Sequence, residues 1–216
     1  MRTASEIYTA YRIMPMLAAH QLRVAAVGRH IADAFPEPLD KEGVVLAGLF
    51  HDMGNILKAN LSYFPELVGD VAYWKTVQED FRKTYGPDEH EATLTIAREI
   101  GLSTRVQEYM ADLTFGKMRE LAEGASLEKK ICKYADMRVA PYGVTSLEER
   151  LTEARERYQG REVKRSPSKD FFDELADAAR TIEHSLFERL PFTPADITEA
   201  SMLSVVAELS QRQIGA

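Results

Sequence analysis

Residues 44–55 read Val44-Val45-Leu46-Ala47-Gly48-Leu49-Phe50-His51-Asp52-Met53-Gly54-Asn55. The first seven are apolar or small and carry no charge, so they make a helix buried nearly all round that runs directly into a histidine and an aspartate. An unpaired charge leaving a buried segment is costly, and a metal ion would remove that cost. Imidazole and carboxylate together suit borderline and harder divalent ions. Adjacent side chains on a helix point about 100° apart, so both reach one ion only if other helices close the shell.

Two residues elsewhere are candidates for closing it. Ile13, Leu17, His20, Val24, Val27 and Ile31 step by three and four, which gives the helix after Pro15 an apolar face with a histidine set inside it. Asp136 follows Cys132 by four and precedes Val139 by three, so it too leans toward a buried side. Singly, each has an ordinary explanation: a hydrogen-bonded core histidine, or a capping or surface aspartate. Four such residues at once are harder to dismiss, although spacing alone leaves both readings open.

The rest of the chain predicts an all-α fold. Hydrophobic spacing is helical almost everywhere, with no sustained period-2 run closed by an Asn-Gly or Asp-Gly turn. Caps are expected at Asp40, Asp88 and Ser103, and a capping box at Ser146-Leu147-Glu148-Glu149 opens a helix to about Gln159. A helix is expected around Val68 to Tyr85, and Pro141 and Gly143 stop the one that carries Asp136. Gly160 to Lys169 is polar, with Arg161, Lys164, Arg165 and Lys169 against Glu162, and it reads as a boundary and a solvated loop. Beyond it come a helix near Asp170 to Leu190 and one opened by Thr193-Pro194. The expected division is therefore a domain over residues 1–160 and a C-terminal helical extension over 161–216 that packs on the core, covers the site or builds a homo-oligomer.

Composition narrows the function classes. The 216 residues are 45% hydrophobic and 28% charged, ordinary globular values. A net charge of −7 argues against a protein whose main task is to hold a nucleic-acid backbone. Cys132, the single cysteine, excludes an intrachain disulfide and a cysteine-built zinc site, and reads as a buried apolar residue. The longest apolar run, Val44 to Phe50, is far short of the roughly 20 residues that span a bilayer, and Met1 to Arg12 lacks the apolar stretch of a signal peptide. No membrane partner and a cytoplasmic location are expected.

The order His20, His51-Asp52, Asp136 on successive helices resembles the HD superfamily of metal-dependent phosphohydrolases. His20-Gln21-Leu22-Arg23-Val24-Ala25 looks like its first helix, Gly48 to Gly54 like its doublet segment, and Lys133-Tyr134-Ala135-Asp136-Met137-Arg138 like its last ligand. The similarity covers roughly Tyr11 to Tyr158. It implies an all-α HD-domain bundle in which His20, His51, Asp52 and Asp136 ligate a divalent ion (Mn, Fe, Co, Ni, Zn or Mg) and Asp52 orients the attacking water. In dinuclear members the doublet aspartate bridges two ions. Here His90 is the candidate extra ligand, while Gln107 to Gly116 offers only Glu108 and Asp112, so a mononuclear site is favoured. Asn55 stands where cyclic-dinucleotide phosphodiesterases carry lysine and some deoxynucleotidases glutamate, so neither substrate transfers.

Arg23, three residues past His20, is a candidate to meet a bound phosphate. For Arg138 a surface ion pair is the favoured reading, and His30 and His184 read as structural or exposed. The function implied is hydrolysis of a phosphate ester, a nucleotide or another small phosphorylated metabolite, by a metal-activated water. The alternative is a catalytically inactive HD domain that serves as a signalling or ligand-binding module. A di-iron redox enzyme would need a second metal shell that the sequence lacks.

Overall fold

The computed structural model describes residues 1–159 and 169–215. The basic run at Arg161, Lys164 and Arg165, with Glu162, lies outside the described residues, and so does the boundary expected there.

A short strand β1 (Arg2–Thr3) leads into α1 (Ala4–Ala10), which starts at a capping box formed by Thr3 and Glu6. The two central helices follow, α2 (Pro15–Ala34) with proline in its first turn and α3 (Lys41–Phe50) capped by Asp40, which accepts from Gly43 N–H. A 3₁₀ turn at Asn55–Lys58 connects to α4 (Pro65–Val68), α5 (Val71–Tyr85), α6 (Glu89–Glu99) and α7 (Thr104–Ala111). Then come α8 (Met118–Gly124), α9 (Leu127–Asp136), a hairpin of β2 (Val139–Ala140) and β3 (Gly143–Val144), and α10 (Leu147–Gln159). The chain ends with α11 (Lys169–Phe187), α12 (Glu199–Ser210) and β4 (Gln213–Ile214).

The architecture is the all-α bundle expected, and the two-residue ladders β1–β4 and β2–β3, both antiparallel, are the only strands among the described residues. Asp40, Asp88, Ser103 and Ser146 cap as expected: each accepts from backbone N–H groups of its own first turn. The helix expected from Val68 begins instead at Val71. Gly69 breaks the chain at φ 69° and Asp70 caps the new helix through Tyr73 N–H. Thr193-Pro194 opens a single 3₁₀ turn only, because Ile197 is extended, and α12 starts from its own cap at Thr198. The β2–β3 hairpin forms where Pro141 and Gly143 were expected simply to stop a helix.

Close packing of α2 on α3 sets up the site. A Cβ at Gly48 would lie 2.7 Å from Ala25 Cα and 2.8 Å from Ala25 N, so only glycine lets these two helices approach this closely. Val24, Ala25, Val27, Leu49 and Phe50 are buried in that seam, and Tyr8 donates to the Leu49 carbonyl at 2.6 Å. On the far side α9 packs on both helices, with Ile131, Cys132 and Ala135 buried. Of the C-terminal helices, α11 lies on α8 and α9 and α12 lies on α2, so their apolar residues join the same core.

Arg138 ties this C-terminal layer down. It is 2% exposed, not a surface ion pair, and its guanidinium donates to the carbonyls of Thr145, Pro194 and Ile197 and to the Tyr134 hydroxyl. A planar five-donor group suits several carbonyls arriving from different segments.

Candidate metal centre

Three helices aim their ends at one point. His20 comes from the second turn of α2, His51 and Asp52 from the turn that ends α3, and Asp136 from the last residue of α9. One ligand atom each of His20, His51 and Asp136 lies within 4.8 Å of the others. The Nε2 atoms of His20 and His51 are 3.4 and 3.6 Å from Asp136 Oδ1. Asp52 faces both rings, with Oδ2 3.7 Å from His20 Nε2 and Oδ1 3.7 Å from His51 Nε2. These separations of 3.4–3.7 Å suit donors arranged around a shared centre.

His51 provides the test of fit. Its Nδ1 is 3.0 Å from the Gly48 carbonyl, which fixes the proton on that nitrogen. Its Nε2 is buried, points into the cluster and has no hydrogen-bond partner. A buried orphaned lone pair flanked by two carboxylates and a second imidazole is the donor set of a divalent cation, and the residues therefore fit one. Electrostatics agree. Burial alone raises the Asp136 carboxyl, but the Lys133 ammonium and the two imidazoles outweigh it and hold the group well below its ordinary range. Burial pushes the His51 imidazole down, while Asp52 and Asp136 together overcome that and leave it raised.

Two residues that sequence reasoning did not single out hold this arrangement. Gln21 is fully buried and its Oε1 accepts from the Asp52 backbone N–H at 3.1 Å, which fixes the doublet against α2. Lys133, 2% exposed, donates to Asp136 Oδ2 at 2.9 Å and to the Leu113 carbonyl at 2.7 Å. Gln21 stands among Leu17, Ala18, Val24 and Ala25, and that polarity on an apolar face was the available signal, whereas Lys133 shares its face with Lys129, Lys130 and Asp136 and gave none. Gly54 completes the frame, because a Cβ there would lie 2.2 Å from the Glu89 carbonyl, and its N–H donates to Thr93 Oγ1 on α6.

His90 and Arg23, the two further participants expected, are not among the three residues whose ligand atoms converge. His90 sits in the first turn of α6. Arg23, expected to meet the phosphate, is turned to α12, where Nε lies 2.9 and 3.0 Å from the two Glu199 carboxylate oxygens and Nη2 2.7 Å from one of them. Asp112 is taken by Lys117 at 2.5 Å and Lys129 at 2.6 Å. His30 packs on Phe192, and His184 is exposed beside Glu188, both as expected.

A cavity of about 230 Å³ opens onto the cluster. His20, Asp52 and Asp136 line it, while His51 lies behind them. Asn55, Lys58 and Arg150 add polar groups, and Leu17, Leu61, Phe64, Val68, Val139 and Pro141 form apolar wall.

The HD domain family model matches residues 17–138, more than half of the chain, and its span begins just before His20 and ends just after Asp136. The chain belongs to the HD domain family. Searches of curated proteins and of solved structures give no significant match. HD domains are in general metal-dependent hydrolases, and this HD domain carries the His/Asp cluster that such chemistry needs. No described helix is long and apolar enough to cross a membrane.

Proposed function

We propose that this HD domain hydrolyses a phosphate ester, a nucleotide or another small phosphorylated metabolite, at a mononuclear divalent-metal site held by His20, His51, Asp52 and Asp136. The observation that carries the reading is the orphaned Nε2 of buried His51, aimed at two carboxylates and a second imidazole at the foot of an open cavity. A divalent ion supplies Lewis acidity there and makes water a stronger acid.

The chain's own residues account for the remaining requirements. His51 and Asp136 are fixed from behind by the Gly48 carbonyl and Lys133, so the cluster reorganises little when it is loaded. Asp52 has its backbone pinned by Gln21 while its carboxylate lines the cavity, which suits it to orient the attacking water and take up its proton. Asn55 and Lys58 stand at the cavity wall and can contact the ester. Asp112, engaged by two lysines, is withdrawn from service as a second-metal ligand, which supports the mononuclear reading.

The test is a panel of nucleotides and generic phosphate esters with Mn²⁺, Co²⁺, Ni²⁺ and Mg²⁺, run on the wild type and on Asp52→Asn. Turnover by the wild type, lost in the folded variant, is expected. Retained turnover in the variant contradicts the role of Asp52. A metal-loaded wild type inert toward every ester, yet binding one of them, supports the ligand-binding module instead.

A further inference from the structure

We propose that Arg150, on α10, is the anion-binding residue of the cavity and positions the substrate's phosphoryl group beside the metal cluster. The inference rests on the hydrolase reading and adds a residue that lies outside the span matched by the family, residues 17–138.

The need for a cation follows from charge. Two carboxylates are set against one divalent ion and the buried Lys133 ammonium, an excess of one positive charge, so a phosphate monoester with about two negative charges would still bring uncompensated charge into a partly buried cavity. Most cations near the site are already committed. Arg23 is held by Glu199, Lys133 by Asp136 and Leu113, and Arg138 by three carbonyls. The cavity itself carries two, Lys58 and Arg150.

Lys58 sits on a short 3₁₀ turn with its side chain 56% exposed, 3.3 Å from Glu89 Oε1, and its charge is screened by solvent. Arg150 is likewise paired with a carboxylate, Glu153, but it is less exposed and is anchored to backbone as well. Its side chain is 16% exposed, its Nε donates to the Val139 carbonyl at 3.1 Å and its Nη1 is held by Glu153. Its Nη2 makes no hydrogen bond among the described residues. The guanidinium is therefore preorganised, with donor capacity to spare in a cavity that also exposes His20, Asp52 and Asp136. Val139 stands three residues after Asp136, so one short stretch of backbone bears a metal ligand and anchors the guanidinium. That coupling fixes the spacing between cation and cluster.

Calorimetric titration of inorganic phosphate into the wild type, Arg150→Gln and Arg150→Lys, each metal-free and Mn²⁺-loaded, tests this beside metal content and steady-state kinetics. Arg150→Gln is expected to weaken phosphate binding about ten- to a hundredfold, the scale of a hydrogen bond to a charged group. Metal content should be unchanged, KM should rise more than kcat falls, and Arg150→Lys should recover part of the loss. Equal phosphate affinity in Arg150→Gln and wild type overturns the proposal, as does a wild type that binds no phosphate in either state. The two readings separate cleanly. Ester hydrolysis with an unaffected Arg150→Gln keeps the hydrolase and removes Arg150, whereas Arg150-dependent phosphate binding without turnover keeps the anion site and removes the hydrolase.

Discussion

The Lys133 ammonium lies 2.9 Å from Asp136 Oδ2, the carboxylate oxygen opposite the one that faces His20 and His51. One carboxylate thus serves a buried fixed cation on one side and the candidate metal position on the other. Lysine at this depth is rare unless paired, and here its partner is a candidate ligand.

Lys133→Met removes the partner of a buried charge, so the metal-free protein should lose about 3–5 kcal/mol of stability. Mn²⁺ should restore more stability to the variant than it adds to the wild type, because Asp136 then regains a cation. Thermal unfolding with and without Mn²⁺ reads both. An equal metal-induced shift in the two proteins would show that Lys133 and the ion do not share Asp136.

Gly48→Ala places a methyl group within 3 Å of the Ala25 backbone and should force α2 and α3 apart. Overpacking of this kind costs about 1–3 kcal/mol. His20 and His51 stand on those two helices, so metal affinity should fall along with stability. Competition against a metal-binding dye measures it, and unchanged affinity in a destabilised variant would uncouple the seam from the site.

Gln21→Leu leaves the part-buried Asp52 N–H without its acceptor, a loss of about 1 kcal/mol. The doublet turn should loosen as well. Hydrogen exchange at Asp52 is expected to quicken in the variant, and unaltered protection there would show that the turn holds without Gln21.

Burial raises the Asp112 carboxyl, but Lys117 and Lys129 outweigh it and hold the group below its ordinary value of 3.8. A depressed carboxylate contributes stability above its unfolded value, and that contribution disappears as the pH falls through the folded value. Asp112→Asn should therefore be less stable than the wild type at neutral pH, with the gap closing on acidification below pH ~4. Urea titrations across pH 2–7 measure it. A gap that widens on acidification would contradict the sign.

The fold was legible because its signals are local. Apolar spacing at three and four, and short polar caps such as Asp40, Asp88 and Ser103, act within one or two turns, and the structure keeps them. The four candidate ligands were legible through polarity on buried faces joined to the family resemblance. Distant pairings were less accessible. Nothing near Arg23 in sequence announces that Glu199, which also accepts from Val144 N–H, will claim its guanidinium. Arg138 likewise reads as a surface residue until the carbonyls of Pro194 and Ile197 arrive from the C-terminal segment. Arg150 shows only as a residue of a capped helix, and its place in the cavity depends on how the β2–β3 hairpin returns the chain.

Metal content per chain in the purified protein, beside the variant with His51 and Asp52 both changed to Ala, tests directly whether His20, His51, Asp52 and Asp136 form a metal centre. About one equivalent of a divalent transition metal is expected in the wild type, or taken up when offered, and its loss in the folded variant. A wild type that neither carries nor takes up a metal, or a variant that keeps it, would contradict the claim.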